Sequence, residues 1–346
     1  LTRTKIGVFG VGHLGKHHAR ILNAMPATEL VGVHDLDPQR GEEIADREKV
    51  PYFANWEDLL DRCEAVDVVT PTTCHHTLAA PSLEAGRHVF VEKPITKTLE
   101  EADNLIHLAD SSGLVLQVGH IERFNSAVME IKRVLDHPRF IEASRLTLYS
   151  PRVKDIGVVV DLMIHDLDLI LSLVPSKVVR FDAVGVPVLT QHEDIASARL
   201  TFEDGCVANL TASRVSVEPQ RRIRIFQRDC YFSLDYQKQE IAVFRKLGQN
   251  DERMMGDPMP GINHYLLHMN REEDALTTEL SDFIRCIQES RPPVVSGQDG
   301  RRALELAIQV TEEARRSLEN DLVRQECSGR GGLSFPKQTM LTGEIE

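Results

Sequence analysis

The stretch "VFGVGHLGKHHA", residues 8–19, constrains this fold more than any other. An apolar run stops at Gly10, and Gly10, Gly12 and Gly15 follow at G-x-G-x-x-G spacing as a helical pattern opens. Glycines there let the chain turn tightly and bring bare N–H groups and a helix N-terminus against a phosphate. His13 and Leu14 lie inside the loop and join the glycines as candidate cofactor contacts. Asp35 closes the next apolar run, 20 residues beyond Gly15. A carboxylate at that place accepts hydrogen bonds from a ribose 2′-hydroxyl and repels a 2′-phosphate, so NAD is expected ahead of NADP. Arg40, five residues on, is the nearby group that would favour a phosphate.

The rhythm around the glycine loop extends the argument. Short apolar runs at 5–10, 29–35, 51–54, 65–71, 87–93 and 114–120 alternate with helical patterns near 14–25, 38–48, 56–62, 75–85, 98–112 and 123–136. Strand, helix, strand at this spacing predicts a doubly wound parallel sheet. After residue 138 the alternation gives way to strand patterns at 139–150, 178–189, 195–202, 206–215, 221–227, 230–236 and 240–246, with turn signals at 203–205 and 227–229. These predict a mostly antiparallel sheet with a helix on one face, closed by helices at 274–290 and 299–319. The expected class is therefore α/β followed by α+β. The expected domains are a dinucleotide-binding unit at 1–121, a second unit at 122–320 and a flexible tail at 321–346. "GINHYLLHMN" (261–270) is read as a packed connection, with a substrate loop carrying His264 and Tyr265 as the alternative.

Composition narrows the class of function. A formal net charge of -13 argues against a nucleic-acid partner, which needs a basic footprint. The six cysteines form no C-x-x-C pair, so neither structural zinc nor a disulfide framework is expected. No apolar run reaches the length of a membrane span, and the chain reads as cytoplasmic.

The polar residues gather at one edge. Thr70 and Pro71 end the fourth strand pattern, Glu92, Lys93 and Pro94 the fifth, and Gly119 and His120 the sixth. In an open parallel sheet these carboxyl ends are where ligands bind. Farther along, "GVVVDLMIHDLDLIL" (157–171) is an apolar helix pattern carrying Asp161, His165 and Asp168 at i, i+4 and i+7, one above another on a regular helix. Ionisable groups are costly to bury unpaired, so the stripe needs either a function or partners. Three such ligands also allow a metal site, although none is expected. Asp168 is read as structural ahead of functional, and Asp166, off the stripe, as solvated or salt-bridged.

Together "GVGHLGKHH", "TPTTCHH", "VEKP" and the Asp161-x-x-x-His165 pair resemble the Gfo/Idh/MocA oxidoreductases over residues 4–319. The resemblance implies a Rossmann domain binding NAD(P), a carbohydrate-like substrate between the domains, and a homodimer or homotetramer formed through the second domain's open sheet. It implies that Lys93, Asp161 and His165 are catalytic and that Thr70, Pro71, His75 and Glu92 line the nicotinamide side. "VGHIERFNSAV" (118–128) and "GVVVDLMIHD" are most similar to the branch acting on nucleotide-activated amino sugars, in particular to UDP-N-acetylglucosamine 3-dehydrogenases, which make a 3-keto sugar. His120 and Arg123 then join Lys93, Asp161 and His165 as expected substrate contacts. Arg123, Arg152, Lys154 and Arg214 are candidates to neutralise a diphosphate. One departure stands: a single Gly157 and three valines replace the glycine run that members often place before the catalytic aspartate.

Chemically, a histidine with ordinary pKa near 6.5 suits removal of a hydroxyl proton near neutrality, making His165 the expected base. Lys93 would stabilise the developing alkoxide while Asp161 orients the imidazole. The converse, Lys93 as base and His165 as relay, is also compatible with the sequence. Two other functions remain open: oxidation of a polyol, inositol or free sugar on the same fold, and NAD sensing without turnover.

Overall fold

The computed structural model describes residues 3–150, 155–236, 238, 240–247, 261–268 and 274–327, except the side chains of His268 and residues 321–327. The first sheet holds β1 (Thr4–Phe9), β2 (Thr28–His34), β3 (Tyr52–Phe53), β4 (Ala65–Val68), β5 (His88–Glu92) and β6 (Leu116–Gly119). All six run parallel, in the order β3-β2-β1-β4-β5-β6. Five helices return the chain between them: α1 (Gly15–Ala24), α2 (Pro38–Glu48), α3 (Trp56–Leu60), α4 (His75–Glu84) and α5 (Leu99–Ser112). Layers on both faces explain the unbroken apolar runs: Val8, Val66, Val68, Phe90 and Val91 are fully buried. The order reverses between β1 and β4, which opens a crevice at their carboxyl ends.

After α6 (Ser126–Val134) comes β7 (Phe140–Leu146), the first strand of an eight-stranded sheet. One turn of π-helix, Val159–Met163, leads into α7 (Ile164–Leu173). Next are β8 (Val178–Val186), β9 (Ile195–Phe202), β10 (Val207–Ser213), β11 (Gln220–Gln227), β12 (Cys230–Asp235), β13 (Glu240–Lys246) and β14 (Ile262–His268), then α8 (Ala275–Glu289) and α9 (Gly297–Cys327). The order is β14-β13-β12-β11-β7-β10-β9-β8; β7 and β10 pair in parallel and every other neighbour is antiparallel. Both expected turns close hairpins, with Gly205 at φ 84° and Asp229 at φ 61°. One face packs Ile141, Ile223, Ile225 and Leu234 against Leu167 and Ile170 of α7 and Val310 of α9. On the other, Phe140, Phe226, Tyr231, Phe244 and His264 stack in a ladder across five strands, with centroid spacings of 5.6, 4.9, 4.2 and 4.4 Å.

Three differences from the sequence reading have physical causes. "GINHYLLHMN" supplies the edge strand β14, paired with β13 from Lys246–Ile262 to Glu240–His268, rather than a packed connection. Its adjacent Leu266 and Leu267 break the alternation that marks a strand. Residues 269 and 270 of that stretch lie outside the described residues. Helix α9 continues past 319 to Cys327, because 312–327 contains neither glycine nor proline. Most of the expected tail, 328–346, also lies outside the described residues.

The third difference concerns the expected second unit at 122–320. Helix α8 lays Leu280, Phe283 and Ile284 into the core formed by Ile6, Val8 and Phe90. Beyond it the Val118 amide donates to the Val295 carbonyl at 3.1 Å. The chain thus returns to the first sheet after crossing the second. Among the described residues, no helix is long and apolar enough to cross a membrane.

Candidate active site

The glycine loop is tight at two positions and bare at a third. Gly10 sits at φ 88°, and a Cβ there would lie 2.7 Å from the Val69 carbonyl oxygen. One on Gly15 would lie 1.9 Å from the Gly10 carbonyl oxygen, whereas one on Gly12 would meet nothing within 4 Å. The backbone at Gly12 therefore faces open space, the cradle a pyrophosphate needs at a helix N-terminus. His13 and Leu14 are exposed on its rim, and Pro71 is exposed at the end of β4. Neighbouring Thr70 holds a buried Oγ1 without a hydrogen bond among the described residues. These groups fit a dinucleotide.

Asp35 follows β2, nearly buried, and accepts from the backbone N–H of Val11 and of Asp37 at 2.9 Å each. It also takes both arms of Arg40, at 3.0 and 2.6 Å. Burial pushes the carboxyl pKa up, but Arg40 and the two amides outweigh it and hold it below its ordinary value. A ribose hydroxyl reaching Asp35 must therefore share that carboxylate with Arg40.

Lys93 and Asp161, 68 positions apart, meet across the crevice. The Lys93 Nζ donates to the Asp161 carbonyl oxygen at 2.7 Å and lies 3.8 Å from its Oδ1. Asp161 sits in the π turn, a rare widening of the helix that recurs at functional sites. Asp161 and His165 are both partly exposed to the crevice. Burial, then the charges of Lys93, Arg145, His120 and Arg221, push His165 well below its ordinary pKa of 6.5, so its ring is neutral at physiological pH. Burial also lowers the Lys93 ammonium, opposed by Asp161 and Glu92.

Several expected contacts lie behind this surface instead. Asp168, 1% exposed, receives Arg123 bidentately at 2.7 Å for both bonds. Arg123 is thus consumed by a buried pair rather than open to a substrate, and Asp168 leaves the ionisable stripe. His120 is buried with neither ring nitrogen hydrogen-bonded among the described residues, and its Nδ1 lies 3.9 Å from Asp168. Its burial takes it out of the crevice lining. His75, expected beside the nicotinamide, is buried with its ring nitrogens 2.9 Å from the carbonyl oxygens of Thr70 and Pro94, tying together the two loops that carry Thr70 and Lys93. Arg214 is buried against Asp194 at 3.2 Å and bonds the carbonyls of Ile156 and Glu193. Arg152 and Lys154 lie outside the described residues.

Gly157 leaves room for the Glu193 carboxylate to approach the backbone. A Cβ there would overlap the Glu193 carboxylate, whose Oε1 accepts from Val159 N at 3.4 Å where the helix begins. Sequence reasoning missed Arg145, which pairs with Asp166 at 2.9 Å for both bonds and with Glu122 at 2.9 Å. Asp166 is therefore salt-bridged and buried. It also missed Arg221, exposed on β11, whose charge bears on both Lys93 and His165. The only signal was a run of arginines in "RRIRIF". No group of three His, Cys, Asp or Glu side chains among the described residues is arranged to hold a metal ion.

Comparison with known proteins agrees with this fold. Residues 4–120 match the model of an oxidoreductase family with an NAD-binding Rossmann fold, and residues 128–230 match the GFO/IDH/MocA C-terminal domain. The chain is 40% identical over 307 residues to UDP-N-acetylglucosamine 3-dehydrogenase of Acidithiobacillus ferrooxidans, covering 88% of this chain and 96% of that protein. A solved structure of that enzyme superposes with TM-score 0.85 over 90% of this chain and 98% of its own. The scyllo-inositol 2-dehydrogenase (NAD(+)) of Bacillus subtilis is 26% identical, over 91% of this chain and 95% of that protein. The parallel sheet with its glycine cradle, the open second sheet and these matches lead to one conclusion: the chain belongs to the Gfo/Idh/MocA family of NAD-binding oxidoreductases.

Proposed function

We propose that this oxidoreductase oxidises the 3-hydroxyl of UDP-N-acetylglucosamine with NAD, giving the 3-keto nucleotide sugar. The observation that carries the reading is the meeting of Lys93 with Asp161 at the carboxyl edge of the first sheet, with His165 close enough to feel the Lys93 charge. The 40% identity to an enzyme named for that reaction supports the substrate. Gly10, Gly12 and Gly15, with His13 and Leu14 on the rim, hold the pyrophosphate; Asp35 takes the adenosine ribose; Thr70, Pro71 and Glu92 flank the nicotinamide. NAD, when bound, supplies the acceptor for the hydride leaving the sugar carbon.

The chain's own residues manage the proton. Neutral His165 accepts it from the hydroxyl, and the Lys93 ammonium, released from the Asp161 carbonyl, stabilises the alkoxide as it forms. Asp161 anchors Lys93 and orients the reacting hydroxyl. The lowered Lys93 pKa favours a second division of labour, in which neutral Lys93 is the base and His165 relays the proton. Arg221, exposed and with its charge felt by Lys93 and His165, takes the diphosphate role first expected of Arg123, Arg152, Lys154 and Arg214. A homodimer or homotetramer through the second sheet is supported by Val184, Val186, Val188 and Leu189, all exposed on and just after its edge strand β8. Light scattering on eluting protein tests that assembly.

NADH formation tests the reaction, with NAD supplied alongside UDP-N-acetylglucosamine, free N-acetylglucosamine, inositols or simple sugars. Turnover with the nucleotide sugar alone is expected. Turnover with an inositol alone would replace this reading with that of a polyol dehydrogenase. Calorimetric NAD binding with no turnover on any alcohol would make the protein a sensor.

A further inference from the structure

Beneath the ligand edge of the first sheet lie four ionisable side chains whose burial the reaction as described leaves unexplained. They are His18 on α1, Asp67 on β4, Glu92 at the end of β5 and Glu279 on α8. The His18 ring is 1% exposed, with Phe90 edge-on at 5.8 Å between centroids. Its Nδ1 lies 2.9 Å from Asp67 Oδ2 and its Nε2 lies 3.4 Å from Glu92 Oε1. Both ring nitrogens thus face carboxylate oxygens. Burial lowers the ring's pKa, but Asp67 and Glu92 outweigh it and hold the ring well above its ordinary 6.5, which favours the imidazolium.

Glu92 is held in turn. Its Oε2 accepts from the Lys93 backbone N–H at 3.1 Å. Its Oε1 fills the space beside Gly119, where a Cβ would lie 2.8 Å away. Glu279 is fully buried, and neither of its oxygens is hydrogen-bonded among the described residues. Burial and the neighbouring carboxylates push its pKa well up, making it the neutral acid of the group. The His18 ring thus sits buried between Asp67, whose carboxyl burial raises and His18 opposes, and Glu92, whose carboxyl burial also raises but His18 and Lys93 hold below its ordinary value. Charge is costly to bury in this way, and buried titratable clusters with perturbed pKa values concentrate at functional sites.

We propose that His18 is a positioning residue for the dehydrogenation: its imidazolium keeps Glu92 ionised beside Lys93 and so sets the pH at which Lys93 exchanges its proton. This rests on the proposed catalytic role of Lys93. Without the His18 charge, Glu92 sits in low dielectric beside Asp67 and Glu279 and takes up a proton. Lys93 then loses one of its two anionic neighbours. Asp161 remains, and so do Arg145, Arg221, His120 and His165, the cationic and imidazole groups that face it. The ammonium becomes easier to deprotonate.

The test is the pH profile of kcat in His18→Gln, Glu92→Gln and the double variant. Each single variant is expected to move the Lys93 limb to lower pH by about one unit, the scale for losing an opposite charge at this range. The double variant is expected to move it no further, because His18 acts through Glu92. A wild-type limb in His18→Gln, or additive shifts in the double variant, overturns the proposal. Lys93→Met separates the two claims: turnover near wild type removes the catalytic reading itself, whereas lost turnover with an unshifted His18→Gln limb removes only this one. Nitrogen NMR of the wild-type His18 ring requires no variant to fold. Two protonated ring nitrogens at mildly alkaline pH are expected, and a neutral tautomer there overturns the proposal.

Discussion

The two walls of the crevice bury charge in opposite ways. On the second-domain wall, Arg145 meets Asp166 and Arg123 meets Asp168, each through two parallel bonds from a planar guanidinium. Such pairs fix angle as well as distance, and arginine does not give up its proton. On the first-domain wall, the buried groups are histidine, lysine and carboxylates, with acceptor atoms on Asp67 and Glu279 left without hydrogen bonds among the described residues. Every one of those can change its charge. One wall is built to hold helix α7 still, and the other to keep its ionisation adjustable.

Lys93→Met should break the contrast most severely. It is expected to lower kcat by roughly two to four orders of magnitude, the range for losing a proton-transfer or oxyanion group, while the calorimetric affinity for NAD is retained. Asp168→Asn strikes the rigid wall and strands Arg123 in a buried place. A stability loss of about 3 kcal/mol in urea unfolding is expected, as for a broken buried pair. Arg221→Ala should raise KM for the nucleotide sugar about tenfold and leave KM for NAD in place, as expected for one charge-assisted contact. An unchanged KM would remove Arg221 from the diphosphate site.

The smallest effect sharpens the comparison from the adjustable wall. Glu279 has a folded-state pKa raised above its ordinary 4.5, so the folded protein holds a proton that the unfolded chain releases. Stability from that proton is complete below the unfolded value and is lost as pH rises through the folded one. Glu279→Gln removes the dependence, and unfolding free energy should fall less steeply on the alkaline side of 4.5. The raised His18 pKa works with the same sign, so a residual slope above 6.5 is expected in that variant.

The first sheet was legible because local rules write it. Strands buried on both faces are continuous apolar runs, and the glycine spacing has one steric solution at Gly10 and Gly15. Motif singled out Lys93, Asp161 and His165, and the structure brings Lys93 to Asp161. What distance along the chain conceals is pairing: nothing in "IERF" shows that Arg123 reaches Asp168, or that Arg145 reaches Asp166. The regular stripe also failed locally, since the π turn at Val159–Met163 changes the helical step between Asp161 and Asp168. The approach of the Glu193 carboxylate to Gly157 likewise exists only after folding brings the two together.

The return of α8 to the first sheet bears on the order in which the protein can be made. Residues 3–136 carry every strand of the dinucleotide unit, yet Phe283 and Ile284 fill its core and Val295 receives the Val118 amide. A nascent chain therefore emerges with its cofactor domain incompletely packed and must synthesise the entire second sheet before closing the first. An N-terminal fragment ending near residue 136 lacks that lid and exposes the apolar surface around Phe90. Chaperone protection during translation should matter most across the interval between the two halves of this core.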